Sequence, residues 1–145
     1  MSVWLNNAKQ IRFPTQLKYT KTAREFIQEV MVEVGVPQSL HLKIMLAVDE
    51  AVGNAINHGG SNTGDTEIIL TCRMRGTVLE ILVEDFGGKP FDPTYFERIA
   101  KAKTWGKGGR GILLINRIMD EVMYIFEEGK STLVYMAKDI TREVK

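Results

Sequence analysis

The stretch LHLKIMLAVDEAVGNAINHGG, residues 40–60, constrains the fold more than any other part of the chain. Ile44, Met45, Val48, Val52, Ala55 and Ile56 recur at helical spacing and cover about 120° of a helix circumference. A stripe of that width has to be buried against a second layer of structure. Pro37 and Ser39 open the helix at about residue 38, and Gly59-Gly60 end it. The opposite side gathers Glu50, Asn54, Asn57 and His58, with Asn54 about 40° from Glu50, Asn57 about 20° to its other side and His58 at about 80°. Leu42 and Leu46 share that side. A surface that is half apolar and half amide predicts burial against something that supplies hydrogen bonds.

The other elements supply the layer this helix needs. Residues 10–17, QIRFPTQL, read as a first strand, interrupted by Pro14, which suits an edge or a bulge. TKTAREFIQEVMVEVG places Ala23, Phe26, Ile27, Val30, Met31 and Val34 at helical spacing and closes on Gly35. DTEIILTCRM and TVLEILVED form a hairpin around Arg75-Gly76. Residues 93–101 read as a short helix, KAKTWGKGGRG (101–111) as a basic loop, and GILLINRIMDEV as a third long helix. EVMYIFE and STLVYMAKD, joined at Glu128-Gly129-Lys130, make a second hairpin. The expected architecture is α+β, a two-layer sandwich in which a mixed, mostly antiparallel sheet is backed by helices on one face.

Length and composition narrow the function classes. The 145 residues suit one domain, 1–145, with a substantial core. A net charge of +1 gives no general attraction to nucleic acid. One cysteine, Cys72, cannot form an internal disulfide, and its apolar neighbours make it an inert buried thiol in a reducing compartment. No run of 18 uncharged apolar residues occurs, and MSVWLNNAKQIRFP is too polar for a signal peptide, so the expected location is the cytoplasm. One Cys with two His gives no zinc pattern, and the strands carry no paired carboxylates of a glycosidase kind. His41 reads as a packed core histidine, and Met31, Met45 and Met119 as core fillers.

Three clusters carry possible chemistry. On the 40–60 helix, Glu50 can accept a proton from a hydroxyl, and the amide oxygen of Asn54 suits Mg²⁺, which prefers hard oxygen ligands. Taken alone, this cluster fits equally a helix end fraying into a loop. In VEDFGGKPFDP (83–93), Asp85 ends a strand beside Gly87-Gly88, where a carboxylate can accept a hydrogen bond from an exocyclic amine; the same residues fit an ordinary turn. In KGGRGILLI (107–115), Lys107, Gly108, Gly109, Arg110 and Gly111 stand immediately before a helix. Free N–H groups, a positive dipole end and two cations suit phosphate oxygens there, although a flexible surface loop has the same composition. It is neither a P-loop nor a G-x-G-x-x-G turn.

In this order the three clusters resemble the nucleotide-binding domain shared by gyrase, sensor histidine kinases and MutL, the GHKL ATPases. Glu50 and Asn54 match the superfamily's N-box, Asp85 and Gly87 its G1 box, and Gly109 and Gly111, flanking Arg110, its G2 box. Thr132 in STLVYM falls where a Thr often assists adenine recognition. The resemblance runs from about residue 12 to 138, and LAVDEAVGNAINHG with GRGILLINRIMDEV are most similar to the free-standing anti-sigma-factor serine/threonine kinases. The segment DFGGKPFDP has one residue more than the common D-x-G-x-P-F-D form, which leaves the alignment of Gly88 and Lys89 open. The dimerisation helix that carries a phospho-accepting His in sensor kinases is absent, and His58 belongs to the N-box itself.

This resemblance implies the Bergerat ATP-binding fold with ATP/ADP and Mg²⁺ as ligands. Asp85 would take the adenine amine with Thr132 assisting, and Asn54 would hold Mg²⁺ and, with Asn57, the nucleotide. Lys107, Gly108, Gly109, Arg110 and Gly111 would close over the phosphates as a lid, with Trp105 nearby. Glu50 would be the general base on a partner's serine or threonine. The implied partners are a sigma factor and an anti-anti-sigma protein of the STAS type, the implied assembly a homodimer, and no contact with nucleic acid or membrane is expected. The alternatives are a non-catalytic ATP-binding regulator of the same fold, a subunit that phosphorylates His on a separate protein, and a plain α+β interaction module.

Overall fold

The computed structural model describes residues 3–5, 8–56, 66–85, 115–127 and 131–142. The strands are β1 (Val3–Leu5), β2 (Ala8–Pro14), β3 (Glu67–Arg75), β4 (Val78–Asp85), β5 (Glu121–Glu127) and β6 (Ser131–Asp139). Two long helices, α1 (Thr20–Val34) and α2 (Gln38–Asn54), lie between β2 and β3 in the chain. The strands form one six-stranded sheet in the order β1-β2-β3-β4-β6-β5. Every described pairing is antiparallel, so the mixed component of the expected sheet is absent from the described residues. The two-layer α+β arrangement itself is present.

Strand periodicity explains how the core forms. In β3 and β4, Ile68, Leu70, Cys72, Leu79, Ile81 and Val83 turn toward the helices and join the main core with Phe26, Ile27, Val30, Ile44, Val48 and Val52. The alternate residues Ile69 and Leu82 face the other way and build a smaller cluster with Leu133, Tyr135 and Ala137. The central strand β4 is thus buried on both sides, and a buried carboxylate, Glu80, lies on the side away from the helices. Arg73 Nε donates to Glu80 Oε1 at 2.6 Å, and the Tyr135 hydroxyl donates to Oε2 at 2.5 Å. Burial, followed by the hydrogen bond to Glu80, pushes the Tyr135 phenol up from its ordinary value.

Local signals account for the boundaries. α1 ends in a Schellman motif: Gly35 adopts φ 80°, its N–H donates to the Val32 carbonyl (3.3 Å), and the Val36 N–H donates to that of Met31 (2.9 Å). Gly76, at φ 63°, turns the β3–β4 hairpin, in which Arg75 pairs with Val78. Pro14 closes β2 beyond the reach of β1, which pairs only with Ala8 to Gln10, so its missing N–H costs no bond on that side.

Three boundaries differ from the sequence expectation. The strand expected at 10–17 runs from Ala8 to Pro14, and β1, which was not anticipated, pairs with its start. The third long helix is described only at 115–118, and β5 already begins at Glu121. Asp120 is the reason: its N–H donates to the Ala137 carbonyl (2.9 Å), and its carboxylate accepts from the Asp139 N–H (2.7 Å) and lies 3.3 Å from the fully buried Lys138 ammonium. Pairing with β6 outcompetes one more helical turn. The short helix at 93–101 and the turn at 128–130 lie outside the described residues.

Cys72 is fully buried opposite Lys9 and Ile81, and burial pushes its thiol far up. The unfolded chain releases that proton near pH ~8.5, whereas the folded protein keeps it. The stability this group contributes is therefore whole below about pH 8.5 and falls above it by up to about 1.4 kcal/mol per pH unit. Denaturant titrations between pH 8 and 10 check this. Cys72→Ala should show a shallower decline than the wild type.

Candidate functional site

The site begins with how α2 is held. Its stripe of Ile44, Val48, Ala51 and Val52 is completely buried. His41 pins the beginning of the helix: its Nε2–H donates to the Val36 carbonyl at 2.8 Å, and Nδ1 accepts from the Gln28 amide at 3.2 Å. A carbonyl can only accept, so these partners define the neutral Nε2–H tautomer and the packed core role expected of His41. Arg24 pins the other end, its guanidinium donating to Asp49 Oδ2 at 3.1 Å. With both ends fixed, the helix cannot rotate, and Glu50 and Asn54 fall at the rim of the stripe, each half-buried. The chain goes on through Ala55 and Ile56 in a wider, π-type turn.

Asp85 occupies the last position of β4 and is fully buried. The alternation of β4 puts it with Leu79, Ile81 and Val83 on the face against which α2 packs. Its register partners are Ile68 on β3 and Thr132 on β6. Asp85 and Thr132, 47 positions apart in a numbering that sequence alone cannot fold, are thus directly opposed across one ladder.

Of the residues singled out from the sequence, Glu50 and Asn54 therefore share one side of α2 a single turn apart, and Asp85 and Thr132 share one rung of the sheet. Asn57, Gly87, Lys107, Gly108, Gly109, Arg110 and Gly111 lie outside the described residues, as do His58 and Trp105. Burial of the Glu50 side is not what the sequence suggested: Leu42 is 69% and Leu46 42% exposed. The Arg24–Asp49 pair escaped the sequence reading, because its partners sit 25 residues apart on different helices. The one local signal was an acidic residue directly before Glu50.

The donor set suits a Mg-nucleotide. A buried carboxylate at a strand end can accept from an exocyclic amine. Among the described residues no group of three His, Cys, Asp or Glu could hold a metal. Mg²⁺ bound to a nucleotide needs none, since phosphates and water fill most of its positions and one protein oxygen such as that of Asn54 suffices. Also among the described residues, no helix is long and apolar enough to cross a membrane.

Comparison with known proteins gives the class. Residues 13–138 match the family described as "Histidine kinase-like ATPase domain", and the chain belongs to that family. ATP use is the property that goes with it. Among its relatives, the anti-sigma F factor of Oceanobacillus iheyensis is 24% identical over 95% of this chain and 96% of its own length. The serine-protein kinase RsbW of Listeria innocua is 26% identical over 86% of this chain and 83% of its own. Among solved structures, that of the RsbU and RsbW domains of a Mycobacterium tuberculosis protein superposes with a TM-score of 0.67 at 18% identity, over 90% of this chain. The chain spans about a third of that protein, 32%. The SiaB–SiaC complex of Pseudomonas aeruginosa contains a chain of the same fold, with a TM-score of 0.56 at 9% identity.

Gly53 sits inside α2 between Glu50 and Asn54, and a Cβ added there would meet nothing within 4 Å. Its φ is not positive, so the fold itself has no need of glycine at this position. Gly53→Ala should stabilise the free protein by about 1 kcal/mol, a rise of roughly 2–4 °C in melting temperature. A thermal melt monitored by circular dichroism reads it.

Proposed function

We propose that this protein is an ATP-dependent serine/threonine protein kinase that acts as an anti-sigma regulatory factor. It binds a sigma factor and phosphorylates an anti-anti-sigma antagonist of the STAS type, works as a homodimer, and does so in the cytoplasm. The observation that carries the reading is the pairing of a buried Asp85 opposite Thr132 with a rim of α2 that bears Glu50 and Asn54. Membership of the histidine kinase-like ATPase family and the names of the anti-sigma F factor and RsbW relatives support it.

The division of labour follows from chemistry. Asp85 accepts from the adenine amine, and a base that lacks this amine forfeits a hydrogen bond to a buried carboxylate, which gives selectivity. Thr132 assists from the adjacent strand. Asn54 would offer its amide oxygen to Mg²⁺, and Asn57 would join it in holding the nucleotide. Mg²⁺, when bound, neutralises charge that develops on the phosphates. Lys107, Arg110 and the N–H groups of Gly108, Gly109 and Gly111 would close over the phosphates, and Gly87 would belong to the same nucleotide site. Glu50 takes the proton of the partner's hydroxyl as that oxygen bonds to the γ-phosphorus and the bond from phosphorus to the ADP oxygen breaks. Such transfers ask the protein for positioning and charge stabilisation more than for covalent chemistry.

Two substitutions separate binding from transfer. Glu50→Gln should retain nucleotide affinity within a few-fold and lose about 10²–10⁴ in phosphotransfer rate, the range for a general base. Preserved transfer in that variant would make the protein a binding-only regulator or give the base role to another group. Asp85→Asn should abolish ATP binding, measured by calorimetry, while the melting transition stays cooperative.

A further inference from the structure

Across Glu50 the surface of α2 changes from sealed to open. On the flank that carries Asn54, about 40° from Glu50, Ala47 and Ala51 follow at about 60° and 100°, and both are completely buried. On the other flank Gly53 stands about 60° from Glu50. It lies between the angular positions of Leu46 and Leu42, which are 42% and 69% exposed. Gly53 is one turn beyond Asp49 and about 4.5 Å along the axis from Glu50. Helix side chains lean toward the N-terminus, so a side chain at position 53 would cover the turn on which Asp49 and Glu50 sit. Glycine leaves that turn bare, and the place of the absent Cβ is open space. The neighbouring carboxylate does not fill it: Asp49 Oδ2 accepts from Arg24 at 3.1 Å, and Oδ1 is enclosed. Glycine is the poorest helix former after proline, and with no positive φ the fold does not require it here.

We propose that the segment of the protein substrate bearing the acceptor hydroxyl crosses α2 at Gly53, its main chain against the bare turn, and that the missing side chain is what admits it to Glu50. The inference rests on the kinase reading above and deepens it by naming the substrate's route and the residue that selects for it. In-line transfer puts the attacking and leaving oxygens on opposite sides of phosphorus. The Mg-nucleotide takes the Asn54 flank, so the hydroxyl arrives from the other side of Glu50, and the opening on that side is the one Gly53 leaves. A main chain lying directly on the helix brings a short Ser or Thr side chain within hydrogen-bond reach of a neighbouring carboxylate. A side chain at position 53 would lift it out of that reach. A glycine elsewhere on an exposed helix would carry no such meaning. This one lies within a turn of the base, on the flank that the nucleotide leaves free.

The test uses the full chain, a purified STAS-type anti-anti-sigma protein as the acceptor probe, and the size series Gly53→Ala and Gly53→Leu. Both replacements are good helix formers, so neither should lower the melting temperature. Calorimetry reads ATP and probe affinity separately, and transfer from labelled ATP gives kcat and the KM for the probe. ATP affinity should stay within about two-fold in both variants, while kcat/KM for the probe falls several-fold in Gly53→Ala and about 10²-fold in Gly53→Leu, with probe binding weakened in the same order. Unchanged kcat/KM in Gly53→Leu overturns the route. Equal losses in both variants with an unchanged probe KM also overturn it, because they assign the glycine to helix flexibility. Loss of ATP binding in Gly53→Leu overturns it too, by giving that flank to the nucleotide. A wild type that binds no probe overturns the assigned occupant. A wild type that binds the probe without transferring phosphate, paired with a Gly53→Leu variant that no longer binds it, strikes the kinase reading alone and supports the crossing at Gly53.

Discussion

The burial of one stripe of α2 against the sheet is the constraint on which everything else depends. Ile44, Val48, Val52 and Ile56 are all fully inaccessible, and each contributes about 1.5–3 kcal/mol when removed from water. Rotating the helix by even one residue would expose half of that stripe, so its azimuth is fixed. Glu50 and Asn54 then have no choice but the rim. The clamp of His41 at one end and Arg24–Asp49 at the other adds little energy by comparison, but it fixes the tilt and the axial position. Geometry at the site is thus a consequence of packing some distance from it.

Polar groups inside the sheet tell a related story. Lys9 is buried on the helix side and reaches Glu29 at 2.6 Å and Glu33 at 3.0 Å, which ties β2 to α1; the hydrogen bond to Glu29, above all, holds its ammonium up. Lys138 does the same between β6 and the segment entering β5. On the other face, Glu80 is shared by Arg73 and Tyr135. Buried pairs of this kind are costly to desolvate and rarely raise stability over an apolar core, but a strand that slipped by one residue would leave each charge unpaired. They make the register, and with it the opposition of Asp85 and Thr132, hard to lose.

How much of this was legible beforehand depends on the range of the interaction. Period-2 runs gave β3, β4, β5 and β6 almost to the residue, and Gly35 and Gly76 marked their turns, because strand pattern and positive φ are local properties. The helical stripe of α2 likewise announced its buried side. β1 was missed because three residues hold too little periodicity, although Asn6-Asn7 between Leu5 and Ala8 is a hairpin signal. The end of the third helix was misjudged because Asp120 acts through β6, 17 and more residues onward. For the site, residue types named Glu50, Asn54, Asp85 and Thr132, whereas the rung that unites Asp85 with Thr132 and the Arg24–Asp49 clamp exist only in three dimensions. The exposure of Leu42 and Leu46 ran against expectation, since a helix pattern records which side is apolar but not what, if anything, covers it.

The central claim is that the α2 rim and the end of β4 together bind a Mg-nucleotide, and calorimetric titration of the purified protein with ATP, with and without Mg²⁺, tests it most directly. The account predicts saturable binding that Mg²⁺ strengthens. No heat of binding at high micromolar protein, in either condition, would contradict it.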